Sequence, residues 1–177
     1  GLTNNRFTRQ VTNAILWRSG AYTNRITGNF FTNNRTGVAV ITQGGASPKG
    51  IWIVGNTMYR VTNGVNITAV TDTGRVSGNR MELATFPGLN GAVLVDRSGN
   101  LVVSNNVATN FSALGFLAQD SFGVRIVNNR AYFAQYGGGL AGGTNSVFTN
   151  NLIVNCSDVG IHVDRTSRSR GVNNTVR

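Results

Sequence analysis

The chain of 177 residues is long enough for one domain with a core, since 40% of its residues are hydrophobic, yet only 12% are charged. Sixteen bases against six acids give a net charge of +10, and fifteen of the bases are arginine, with Lys49 the exception. The lone Cys156 excludes an internal disulfide framework and a cysteine zinc site, the lone His162 excludes a multi-histidine metal centre, and no apolar run is long enough for a membrane span.

The neutral polar exterior comes from 24 Asn and 19 Thr, set beside 21 Val and 23 Gly with only 2 Pro, a mixture suited to short strands and tight turns. In chain order one short phrase recurs: Leu2–Asn5, Ile26–Asn29, Ile53–Asn56, Val76–Asn79, Val103–Asn106, Ile126–Asn129 and Phe148–Asn151, with a degenerate copy ending at Asn174. Successive final asparagines are 24, 27, 23, 27, 23, 22 and 23 residues apart, the length of one solenoid turn with variable insertions.

Asn4, Gly28, Gly55, Gly78, Asn105, Asn128, Asn150 and Asn173 precede these asparagines. Gly and Asn accept a left-handed backbone that costs other residues about 1–2 kcal/mol, so each copy predicts a tight left-handed corner. Apolar residues stand three before the anchor, from Leu2 and Ile26 to Phe148, and two after it, from Phe7 and Phe31 to Ile153. Alternation places both sets inside. A second apolar strand follows a glycine in most copies: Gly37–Val40, Gly64–Ile67, Gly91–Leu94, Gly115–Ala118 and Gly160–Val163. Stacking at about 4.8 Å would then join the anchor asparagines into a column of hydrogen-bonded amides.

These features resemble the right-handed parallel β-helix of the pectin lyase-like superfamily, whose asparagine ladders occupy such corners. The expected fold is all-β, a single solenoid domain over residues 1–177 with about seven to eight coils. Both termini fall within repeats without a visible cap, which predicts a segment of a larger protein or assembly whose further coils or partner chains cover the ends. The widest insertions, Thr42–Gly50, Thr85–Asn90 and Gly137–Thr144, read as loops, as does the position of Asn110.

The resemblance implies an activity class only broadly, because the superfamily includes polysaccharide lyases, hydrolases, uronan epimerases, tailspikes and non-catalytic modules. The paired-aspartate and Gly-His-Gly pattern of polygalacturonases and the Asp-Pro-His-Glu pattern of alginate epimerases are missing. Two groups of residues carry the candidate chemistry. Asp96 and Asp120 each lie five residues past a strand-opening glycine, which predicts stacking about 5 Å apart as a carboxylate pair, although Asp-x-x-Gly turns also account for them. His162 and Asp164 are two apart in a strand and share a face, with Gly142 and Gly143 expected to leave room above them. No cofactor is expected, calcium being the one metal that stacked carboxylates would admit.

The second group is arginine. Four residues before the anchors stand Arg25, Trp52, Arg75, Val102, Arg125, Val147 and Arg170, so arginine returns on alternate coils, about 10 Å apart. Arg80 and Arg130 follow their anchors directly, as does Arg6. Planar guanidinium groups suit bidentate capture of carboxylate or sulfate. Two function classes stand open: an extracellular carbohydrate-directed module binding, and cleaving or epimerising, an extended anionic polysaccharide, and a non-catalytic structural β-helix of a phage tailspike, adhesin or surface fibre. Both imply a secreted, cell-surface or virion-associated protein with no membrane partner. Nucleic acid is disfavoured, since no basic-aromatic recognition motif accompanies the charge.

Overall fold

The computed structural model describes residues 1–10, 12–18, 20, 22–43, 45–83 and 91–177. The loop expected at Thr85–Asn90 lies outside them. Parallel strands stacked over about seven turns make up the described chain, which contains no helix.

Each coil has three faces. The first is an eight-stranded sheet of Leu2–Thr3, Tyr22–Thr27, Lys49–Val54, Gly74–Ser77, Leu101–Ser104, Arg125–Val127, Val147–Thr149 and Arg170–Val172. The second begins directly after each anchor asparagine, as Arg6–Thr8, Phe30–Thr32, Thr57–Val61 and Arg80–Leu83. The third consists of Asn13–Arg18, Thr36–Ile41, Asn63–Thr68, Gly91–Asp96 and, later, Val159–Asp164, which include the second apolar strands expected from the sequence. Val107–Gln119 and Arg130–Ala141 run unbroken from the second face into the third. That continuity corrects two expectations. Asn110 is in a strand, and Gly137–Ala141 are strand residues rather than loop. This column is kept small, glycine in most coils and alanine at Ala92, because the backbone passes close to the core. At the equivalent Gly37, a Cβ would stand 2.8 Å from both the Gly64 carbonyl oxygen and the Met58 sulfur.

The core follows the predicted inward phases. Ile26, Ile53, Val76, Val103, Ile126 and Phe148 are buried on the first face, and Phe31, Met58, Met81, Ala108, Ala131 and Ile153 on the second. Between those columns runs the ladder. Each interior asparagine donates from Nδ2 to the Oδ1 of the next coil, at 3.1 Å from Asn29 to Asn56 and 2.9 Å from Asn79 to Asn106 and from Asn106 to Asn129. The same nitrogen donates to a carbonyl of the preceding coil, as Asn106 does to Val76 at 3.0 Å. Because each Oδ1 also accepts a backbone N–H from the coil before, every rung satisfies polar groups on both neighbours. A shorter serine stack does comparable work between the third and first faces, with Ser98 Oγ accepting from the Val70 N–H and Ser121 Oγ from the Ser98 N–H.

Candidate functional site: the arginine-lined corner

The bend between the first and second faces is built on left-handed residues. Gly28, Gly55 and Gly78 have φ of 65°, 64° and 63°, and Asn105, Asn128 and Asn150 have 56°, 58° and 53°. Since the ladder fixes the phase on either side of this bend, the outward columns flanking it stay in strict register. On the first face Arg25 pairs with Trp52, Trp52 with Arg75, Arg75 with Val102, Val102 with Arg125, Arg125 with Val147 and Val147 with Arg170. On the second face the column runs Arg6, Phe30, Thr57, Arg80, Val107, Arg130, Leu152 and Thr175. Arg75 and Arg80, like Arg125 and Arg130, therefore belong to single coils and bracket one corner each.

These guanidinium groups are exposed, and among the described residues none of them forms an ion pair. Arg75 Nε donates to Ser77 Oγ at 3.1 Å, leaving the outer nitrogens of its fork free. Arg25 and Arg6 lie over aromatic rings, 5.6 Å from the Trp52 centroid and 5.2 Å from that of Phe30, contacts that hold a cation without consuming its hydrogen-bond donors. On these two faces Glu82 is the one acid in a described strand. A depression of about 520 Å³ lies over the corner, lined among others by Asn105, Val107, Asn128, Arg130, Asn150 and Leu152.

The acids are arranged differently from the expected pair. Asp96 is in register with Gln119, and Val95 with Ala118, so Asp120 falls one position further along the chain, in line with Arg97. The offset arises because Gly91 pairs with Leu114 and Ala92 is the residue in line with Gly115, so counting from the glycines shifts the register by one. Asp96 instead accepts from Arg97 Nε at 2.9 Å. Asp120 has a left-handed backbone, φ 46°, and its carboxylate lies where a side chain on Gly142 would be.

His162 is exposed and Asp164 lies on the same strand face, but Asp164 accepts from its neighbour Arg165 at 2.9 Å. Gly139, not Gly142 or Gly143, lies beside His162, while Asp164 pairs with Ala141. Asp96 and Asp164 share one outward column but are separated by Gln119 and Ala141, three coils or about 14 Å. No group of three metal-ligating side chains occurs among the described residues. Cys156 is half-buried, and burial pushes its thiol above the ordinary range. The hydrogen bond from Tyr136 to the Asp158 carboxylate, with the nearby negative charge, raises the phenol above 10.0.

Sequence reasoning missed a second left-handed column, at Arg9, Asn33, Arg60, Asn110, Phe133 and Asn155, where the second face turns into the third. Phe133 is 57% exposed at φ 57°, an uncommon conformation for a bulky residue. Its signal was its phase, four residues past the anchor Asn129, where Asn33, Asn110 and Asn155 stand after their own anchors.

A family model described as a right-handed beta helix region matches residues 1–177. No curated protein and no solved structure matches the chain.

Proposed function

The chain belongs to the right-handed β-helix family, and on that fold we propose that it is a carbohydrate-directed module that binds an extended anionic polysaccharide along its first corner. One observation carries this reading: Arg25, Arg75, Arg125 and Arg170 share one outward column, spaced by single non-basic coils, with Arg80 and Arg130 across the corner in the same coils as Arg75 and Arg125. A rigid stack presents cations at a constant interval of about 10 Å, and a linear polymer with regular anionic groups is the ligand that meets such an interval repeatedly. The polymer lies along the rod axis, its acidic groups held by forked guanidinium contacts. A ligand of this kind belongs to an extracellular, cell-surface or virion setting, consistent with a pectin lyase-like ancestry.

Binding without turnover, as on a tailspike, adhesin or surface fibre, is favoured by the state of the candidate acids: Asp96 and Asp164 are each engaged by the arginine that follows them. Both readings are tested together. Binding of a uronate polymer should be salt-sensitive, and Arg75→Ala with Arg125→Ala should weaken it about tenfold or more. The control exchanges Arg9→Asn with Arg60→Asn, which removes the same charge from left-handed positions that Asn33 and Asn110 already occupy. Equal losses from the two pairs would reduce the stripe to net charge, and no binding at low salt would remove the proposal. Release of unsaturated products or reducing ends that stops on Asp96→Asn or Asp120→Asn would replace binding with catalysis.

A further inference from the structure

The left-handed position of the first corner changes identity along the rod. Asn4 fills it in the first coil, Gly28, Gly55 and Gly78 in the next three, and Asn105, Asn128, Asn150 and Asn173 in the four that follow. Glycine meets the backbone requirement at no steric cost, so the corner itself does not call for asparagine. What asparagine adds is an amide. Asn105, Asn128 and Asn150 are exposed, their side chains make no hydrogen bond to the described protein, and they line the depression over the corner. An amide offers a donor and an acceptor in one plane, the arrangement that pairs with adjacent hydroxyls of a sugar ring. The amides recur once per coil, about 4.8 Å, close to the length of one sugar in an extended chain.

The flanks of these four corners alternate. Asn105 stands between Val102 and Val107, Asn128 between Arg125 and Arg130, and Asn150 between Val147 and Leu152. Asn173 is preceded by Arg170 on the same outward column. Half-buried apolar flanks and exposed cationic flanks thus take turns, while the amide is constant.

We infer that this half of the corner is a row of sugar subsites for an alternating polysaccharide, in which an acidic sugar over Arg125, Asn128 and Arg130 is followed by a neutral sugar over Val147, Asn150 and Leu152. The inference rests on the reading of the corner as a polyanion site and adds the charge pattern of the polymer. A chain acidic at every sugar would set carboxylates against the Val102–Val107 and Val147–Leu152 pairs, where no cation offsets their desolvation. A neutral sugar, particularly one carrying an N-acetyl methyl, suits those apolar flanks. The amides supply hydrogen bonds common to all the subsites, and the arginines set the phase.

Calorimetry at low salt decides this with three probes of equal length: hyaluronan oligosaccharides, acidic at every second sugar, polygalacturonate, acidic at every sugar, and neutral dextran. The hyaluronan probe is expected to bind about tenfold tighter than polygalacturonate despite half its charge, with dextran weakest. The triple variant Asn105→Gly, Asn128→Gly and Asn150→Gly, which copies the chain's own Gly28, Gly55 and Gly78, should keep its melting temperature and lose about tenfold or more in hyaluronan affinity. Tighter binding of polygalacturonate, or unchanged affinity in the triple variant, overturns the alternating subsites and leaves the polyanion site standing. Failure of the unaltered protein to bind either polyanion overturns both.

Discussion

Replacing Asn106 with Leu should be among the most damaging single changes in the chain, and the hydrogen bonds say why. The side chain is fully buried. Its Nδ2 donates to Asn129 Oδ1 at 2.9 Å and to the Val76 carbonyl at 3.0 Å, and its Oδ1 accepts from the Asn79 backbone N–H at 3.0 Å and from Asn79 Nδ2 at 2.9 Å. The four partners fare unequally when it goes. Asn129 Oδ1 keeps the Asn106 backbone N–H, and Asn79 Nδ2 keeps the Ile53 carbonyl, whereas the Asn79 N–H is left with nothing. One orphaned buried donor at about 1–3 kcal/mol, with about 1 kcal/mol for each of the other three contacts, puts the total near 4–6 kcal/mol. The control is Asn5→Leu. Asn5 is exposed, and its amide donates to Asn29 Oδ1, which keeps the Asn5 backbone N–H, so the loss there should stay below about 1 kcal/mol. Urea unfolding followed by circular dichroism measures both. Equal losses, or a loss at Asn106 below about 1 kcal/mol, would refute the ladder as a source of stability.

At Gly78, where φ is 63° and an added Cβ would have the Gly55 nitrogen no nearer than 3.9 Å, Asn should be accepted within about 1 kcal/mol and Val should cost about 2 kcal/mol or more in the same assay, because the β-branch resists the left-handed backbone. Phe133→Asn should raise stability by about 1 kcal/mol, since Asn110 and Asn155 adopt the same conformation in the neighbouring coils. Tyr136 has a folded pKa above its ordinary 10.0, so the stability it contributes is whole below pH 10 and is lost as pH rises through the folded value. Phenolate absorbance should show one late-titrating tyrosine that disappears in Tyr136→Phe and titrates earlier in Asp158→Asn.

Legibility in the sequence follows distance from the ladder. An anchor asparagine must face inward and its predecessor must be left-handed, so both adjoining strands take their phase from two residues whose roles are fixed. For that reason the inward columns from Ile26 to Phe148 and from Phe31 to Ile153, and the outward column from Arg25 to Arg170, match the expected phases. The second corner carries no such marker. Its occupants include Arg9, Arg60 and Phe133, residue types that do not signal a left-handed backbone, so the sequence alone does not distinguish the strand position of Asn110 from a loop. Glycine misled in the opposite direction at Gly137 and Gly138, where close packing against the core, not turning, excludes a side chain.

The acids of the third face lack a marker for the same reason, and their true register bears on function. Asp96 and Asp120 lie equally far from Gly91 and Gly115, but the column that the third face keeps small is Gly64, Ala92, Gly115, Gly137 and Gly160, in which alanine takes one place. A shift of one residue in a strand exchanges its two sides, so an apparent carboxylate pair became one aspartate beside Gln119 and another beside Arg97. The arginine stripe escaped that error because it is counted across no insertion. Each of its members lies within four residues of a ladder asparagine, and an insertion elsewhere in the coil leaves its spacing intact. A surface that must present one chemical period to a long polymer is best placed beside the element that cannot slip. The exposed asparagines of the later coils are immediate neighbours of the buried ones, so their phase is the most strictly held on the outside of the rod.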